Sequence, residues 1–145
     1  MFNLIQLSSH LYNQLLEYCN RELPKEACGA FLGSYESDCI VIQDFLPIQN
    51  ISKNPSKHFE LDRNSLIQLL YPKLGNPWIG IFHSHPLTAA FPSEEDLTNL
   101  WQVPVYAIIS LAQSNLPLMK CYKIQSTQQK KPYSIKEQTL QIIES

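Results

Sequence analysis

The stretch IFHSHPLTAAFPSEED, residues 81–96, gathers residue types that do metal chemistry at spacings that let them meet. On a strand, alternate side chains share a face, so His83 and His85 emerge together, with Ile79 and Ile81 expected behind them on that face. Pro86 ends the ladder. Two imidazoles held this way suit zinc, which takes nitrogen donors at about 2.0–2.1 Å and in hydrolytic sites keeps three protein ligands and one open position. The third ligand should be a carboxylate or another histidine. If Ser93 N-caps a helix, Asp96 is its third residue, and the intervening loop can fold the helix start back over the strand end. Taken alone, SEED is a capping box, and an HxH pair is a common hydrogen-bonded core feature. The coincidence of two same-face histidines, a proline stop, a serine and a carboxylate points to a metal site. A hydroxyl near a helix N-terminus also sits where an oxyanion is welcome.

Written out, the pattern is H-S-H-P-x6-S-x2-D, and it resembles the signature of the JAMM (MPN+) metallopeptidases. Glu26 in LPKEACGAFLG resembles the family's upstream glutamate before a strand, and KHFELD is similar to a further segment of its bacterial members. The likeness runs from Glu26 to about Leu111. It implies one Zn2+ per chain, held by His83, His85 and Asp96, with Glu26 as general base and Ser93 stabilising the oxyanion. It also implies a cytidine-deaminase-like α/β fold, an α-β-α arrangement with a central mixed sheet flanked by helices. The expected activity is hydrolysis of a peptide or isopeptide bond after the C-terminal Gly-Gly of a ubiquitin-like or sulfur-carrier protein. Without the motif, Glu26 beside Lys25 would read as a solvated loop charge. Rival readings are a catalytically silent MPN scaffold, a RadC-like protein and a cell-wall peptidase. The intact residue set argues against the scaffold. HSHPLT in place of HNHPSG argues against RadC, and nothing resembles the partner domain of the cell-wall enzymes.

Leu7, Leu11, Leu15 and Tyr18 recur at helical spacing around the polar pair Ser8-Ser9, predicting a first helix that ends before Pro24. ACGAFLGSY and CIVIQDFL predict a hairpin turning near residues 36–38. NISKNPSKHFELD is a polar loop, and Asp62 is placed to cap a helix carrying Leu66, Leu69 and Leu70 that Pro72 would stop. WIGIFHSH is a buried strand, and SEEDLTNLW a short helix with Leu97, Leu100 and Trp101 on one face. VYAIISLA and LPLMKCYKI are strands joined near Ser114, and the tail YSIKEQTLQII fits a last strand or a helix, with the strand favoured. The order αββαβαβββ predicts a mixed sheet with flanking helices, and an extended peptide would add to a sheet edge beside the metal.

Composition narrows the partners. The 145 residues read as one domain, 1–145, and 44% hydrophobic with 17% charged is globular. A net charge of −2 with scattered Lys and Arg lacks a nucleic-acid footprint. No apolar run approaches the ~20 residues of a membrane span, and no signal-peptide pattern opens the chain, so a cytoplasmic protein is expected. Cys19, Cys28, Cys39 and Cys121 form no CxxC pair and read as reduced, mostly buried thiols. Ser84 should face away from the histidines, either packed or bonded to backbone. His10 should lie on the first helix surface and His58 in the polar loop, solvent-facing. Gly29 and Gly33 suggest close backbone approach or a turn. The apolar 86–92 loop should line a substrate groove or pack on the core.

Overall fold

The computed structural model describes residues 4–71, 77–113, 115–125 and 134–144. Its elements are β1 (Leu4–Ser8), α1 (Ser9–Glu22), β2 (Cys28–Glu36), β3 (Cys39–Ile48), α2 (Arg63–Leu70), β4 (Trp78–His85), α3 (Glu94–Thr98), β5 (Val105–Ser110), β6 (Leu118–Gln125) and β7 (Ser134–Ile143). The sheet is mixed, as expected, but it closes into a barrel in the order β1-β3-β2-β4-β5-β6-β7. This corrects the expectation of an α-β-α arrangement, a central sheet flanked by helices. The closing strand is β1, which pairs parallel with both β3 and β7. In the sequence its Leu7 fits the helical spacing of Leu11 and Leu15. In the structure Ile5 and Leu7 are instead the buried positions of an alternating strand. Closure also gives each strand a neighbour on both sides, where strand addition was expected to use a free sheet edge.

Local signals otherwise hold. Ser8 caps α1 by accepting from the Leu11 amide, and Leu11, Leu15, Tyr18 and Cys19 are its buried stripe. The β2–β3 hairpin turns between Glu36 and Cys39. Asp62 caps α2 through the Asn64 and Ser65 amides, and Leu66 is that helix's buried residue while Leu69 is partly exposed. Pro72 and Ser114 lie outside the described residues. The tail is a strand, and α3 ends at Thr98. Leu100 and Trp101 therefore lie beyond α3, and Leu97 is 48% exposed, so the shared helical face expected for these three does not form.

Side chains of β5 alternate between two buried clusters: Val105, Ala107 and Ile109 meet α1, while Tyr106 and Ile108 meet Phe59, Leu61 and Leu66. Both faces of the strand are thus covered, and all six of its residues are buried. On β4, the register with β2 slips between Phe31 and Leu32, so Trp78 and Gly80 oppose successive residues and Ile79 is extra. A bulge turns the residues before it to the other face. Ile79 consequently packs in the α1 cluster and Ile81 in the other, so the two isoleucines do not share the histidine face. Phe82, on the opposite face from His83, stacks on Phe31 at 5.0 Å and takes Tyr18 and Phe45 edge-on. Its ring lies against Gly29, where a Cβ would sit 2.6 Å away. That close approach is what Gly29 allows.

Candidate metal centre

The end of β4 delivers both histidines into one buried pocket of side chains. His83 is fully buried and His85 is 3% exposed. The His85 Nδ1 lies 2.8 Å from the Ala89 carbonyl. A carbonyl only accepts, so Nδ1 carries a proton; Nε2 donates to Asp96 when the ring is doubly protonated and offers its lone pair when the ring is neutral. That Nε2 is 3.1 Å from Asp96 Oδ2, and the Nε2 of His83 is 3.6 Å from the same oxygen. Asp96 reaches this position as the third residue of α3. Ser93 Oγ accepts from the Asp96 amide and the Ser93 amide donates to Oδ2, closing the expected capping box. One carboxylate therefore both caps the helix and faces the imidazoles. Burial alone would raise its pKa. The His85 hydrogen bond, the His83 charge and the Ser93 amide outweigh burial and hold it at about 2. For His85, burial favours the neutral ring, but Asp96 and the Ala89 carbonyl prevail and raise its pKa.

Glu26 arrives from the other side, just ahead of β2, and is 5% exposed. Its backbone is pinned from two directions. The amide donates to the Pro55 carbonyl at 2.7 Å, and Asn50 Nδ2 donates to its carbonyl at 3.0 Å. Next to it, the Ala27 amide donates to Ser84 Oγ at 2.8 Å while the Ser84 amide donates to the Ala27 carbonyl at 2.9 Å. The central serine of HSHP thus turns away from its histidine neighbours, as expected, and pegs the Glu26 segment to β4. Glu26 Oε1 stands 3.2 Å from His83 Nδ1. Sequence spacing could not bring these residues together. The Cys28↔His83 pairing of β2 with β4 does.

This donor set fits a divalent cation. Glu26, His83 and His85 each offer one atom, all within 4.8 Å of one another, and Asp96 Oδ2 lies against both imidazoles. Glu26 Oε1 and His83 Nδ1 are buried without a hydrogen-bond partner, and buried polar atoms left so are rare unless something else completes them. Two imidazoles with carboxylate oxygen suit zinc among the common divalent ions.

Two residues at the centre carry no signal in the motif. Phe59 stacks on the His83 ring at 4.1 Å and 18°, and the Tyr106 hydroxyl lies 3.3 Å from His83 Nε2. Only their aromatic character beside a polar loop and in a buried strand hinted at either. Asn50, outside the centre, also carries no signal in the motif: its amide reaches the carbonyls of Glu26, Pro55 and His58 and the amides of Ser52 and Glu60, and so ties the 49–62 loop to the site. His58 is only partly exposed, on Ser52 Oγ at 2.8 Å and 3.8 Å from Glu95. His10 is exposed, and Cys28 is buried with its thiol pushed up to about 12, first by burial and then by nearby acids. In the 86–92 loop Ala90 packs in the core, while Leu87 and Phe91 are exposed.

Residues 8–125 match the family described as prokaryotic homologs of the JAB domain. The chain is 31% identical over 90 residues to a desampylase of Haloferax volcanii, covering 60% of this chain and 63% of that protein. It is 31% identical over 87 residues to a probable TtuB-protein conjugate cleaving protease of Thermus thermophilus, covering 58% and 55%. The match thus spans less than two-thirds of the length of either relative. A CysO-cysteine peptidase of Mycobacterium tuberculosis is 24% identical over 81% of both chains. Among solved structures, a Desulfitobacterium hafniense protein determined in solution superposes with a TM-score of 0.82 at 28% identity, covering 97% of this chain and 94% of that one.

Proposed function

This chain belongs to the family of prokaryotic homologs of the JAB domain, and from that membership we propose that it is a zinc metallopeptidase of the JAMM type. It hydrolyses the peptide or isopeptide bond after the C-terminal Gly-Gly of a ubiquitin-like or sulfur-carrier protein. The observation that carries the reading is the buried convergence of His83, His85, Asp96 and Glu26, with Glu26 Oε1 and His83 Nδ1 left unpartnered. The substrate class follows the relatives named as a conjugate-cleaving protease and a CysO-cysteine peptidase.

His83, His85 and Asp96 are the ligands in this reading. Asp96 Oδ2 faces the Nε2 atoms of both histidines, whereas Glu26 faces the other nitrogen of His83, which frees Glu26 for proton transfer. Bound zinc supplies Lewis acidity, lowering the pKa of water from about 15.7 to around 7. The Glu26 carboxylate accepts the proton of the attacking water and later delivers it to the leaving amine. Ser93 Oγ already accepts from the Asp96 amide, so its own proton is free to donate to the scissile carbonyl oxygen as negative charge develops there.

The carrier's tail needs an extended partner. Residues 59–61 supply one. The Glu60 backbone is spent on Ile51 and Asn50 at 3.0 Å each, so by alternation the Phe59 and Leu61 backbone groups face the other way. These residues line a groove of about 600 Å³ with Arg63 and Trp101 on its walls. A tail paired there would lead along Phe59 to His83.

The test is to offer purified protein carriers that end in Gly-Gly plus a tail, with and without chelator, and to read the bond cut by mass spectrometry. Cleavage after Gly-Gly that chelator abolishes is expected. Glu26→Gln should keep zinc and lose about 10²–10⁴ in rate. Full activity in that variant would refute the assignment of the base, and absence of stoichiometric zinc in the wild type would favour the silent scaffold.

A further inference from the structure

The loop that joins the two halves of the donor set is tied down from outside. Residues 86–92 run from His85 to the α3 cap at Ser93, and Leu87, Thr88, Ala89 and Phe91 of this loop are exposed. Its buried members are Pro86 and Ala90. Its three central carbonyls each meet a side chain. Ser110 Oγ donates to that of Thr88 at 2.6 Å, His85 Nδ1 lies 2.8 Å from that of Ala89, and the Tyr122 hydroxyl donates to that of Ala90 at 2.6 Å. The two hydroxyls come from different strands. Ser110 ends β5 and pairs with His85 of β4. Its Oγ also accepts from the Ala112 amide at 3.3 Å, so its single proton is committed to Thr88. Tyr122 reaches the loop from β6, on the far side of β5 from β4. Burial raises its pKa to about 12, with Glu137 and Cys121 adding to it, so the phenol keeps its proton and donates.

We propose that Ser110 and Tyr122 are positioning residues of the metal centre: together they clamp the 88–90 turn, so that the Ala89 carbonyl stays against His85 and the α3 cap presents Ser93 and Asp96 at a fixed distance from the histidines. The inference rests on His83, His85 and Asp96 being the ligands, as in the proposed function. Neither residue lies in the H-S-H-P-x6-S-x2-D pattern. Their effect is one of placement. Each hydroxyl fixes one flank of Ala89, at the short end of the range for such bonds. Ala90 is 1% exposed, so without Tyr122 its carbonyl is left unpaired or the turn opens to admit water, at the cost of a buried polar group either way. A turn that shifts carries the ends of the loop with it, the His85 ring on one side and the start of α3 on the other. Outer partners that orient metal ligands typically influence metal affinity 10–100-fold.

Tyr122→Phe and Ser110→Ala each remove one hydroxyl and leave every ligand in place. Zinc affinity, measured by competition with a chelating dye well below the melting midpoints, should fall about 10–100-fold in each variant. Carrier cleavage should fall with it at limiting zinc and return when zinc is in excess, since the ligands themselves are intact. Ile42→Val, which trims the cluster around α1, is the control: it should lower the melting midpoint and leave zinc affinity as in the wild type, which is how a role confined to folding would behave. A folded Tyr122→Phe or Ser110→Ala protein with affinity within about twofold of wild type, against the 10–100-fold expected, would overturn the proposal. Cleavage that excess zinc does not restore would overturn it too, since the hydroxyls would then serve something other than the ligands. If one variant fails to fold, the other decides; failure of both would place the hydroxyls in the fold and not in the centre, and overturn it as well. A wild type that binds no zinc would instead refute the metallopeptidase reading on which the proposal depends.

Discussion

Removing one oxygen, in Ser84→Ala, tests how the fold aims Glu26. Ser84 is fully buried and its hydroxyl is the acceptor for the Ala27 amide at 2.8 Å. Ala27 is itself 1% exposed, so no water replaces the lost partner. An unsatisfied buried amide costs about 1–3 kcal/mol. Unfolding entropy of about 2.1 cal/mol/K per residue gives about 0.3 kcal/mol/K for 145 residues. The melting midpoint should therefore fall by roughly 3–10 °C. Glu26 is the next residue, and misplacing a reacting group by about 1 Å can cost 10²-fold, so kcat should fall by about 10–100-fold at unchanged zinc stoichiometry. Calorimetry, metal analysis and the carrier-cleavage assay read the three quantities, with Ser34→Ala, an exposed hydroxyl on Glu36, as control. A Ser84→Ala protein melting within about 1 °C of wild type and fully active would refute the claim that this hydroxyl pegs the catalytic segment.

Other expectations follow from the same contacts. His85→Ala removes a donor that Asp96 and Ala89 hold in place; both zinc content and hydrolysis should be lost, as read by metal analysis and mass spectrometry. Asn50→Ala strands the Glu60 and Ser52 amides together with the Glu26 carbonyl. It should lower stability by about 1–3 kcal/mol in urea titrations and reduce kcat/KM more than zinc affinity. In metal-free protein the depressed Asp96 pKa, 3.8 to about 2, contributes stability present above the unfolded value and lost as pH falls through the folded one. That amounts to about 2 kcal/mol. The raised His85 pKa works in the opposite sense, full below about 6.5 and fading as pH rises through its folded value. Urea unfolding of the metal-free wild type against Asp96→Asn should show the largest gap between about pH 4 and 6.5. A gap that persists unchanged at pH 2 would contradict the assignment.

The sequence by itself determined much of what depends on near neighbours. Period-2 alternation put His83 and His85 on one face, Ser93 and Asp96 formed their capping box, Asp62 and Ser8 stood at helix starts, and Ser84 turned away to bond backbone. The motif resemblance extended this to the family. Tertiary structure decided what depends on which strands lie side by side. Leu7 fits both a helical and a strand period, so β1 and the barrel closure it brings were settled only by its pairing with both β3 and β7. A one-residue bulge opposite Phe31 separated Ile79 from Ile81, because alternation carries no information across a register slip. Glu26 came within 3.2 Å of His83 across 57 residues of chain only because β2 pairs with β4. Phe59 and Tyr106, ordinary aromatics in the sequence, became part of the centre by packing on that same imidazole. Short-range hydrogen bonds and side-chain periodicity are written in consecutive residues, whereas strand pairing and burial belong to the whole chain.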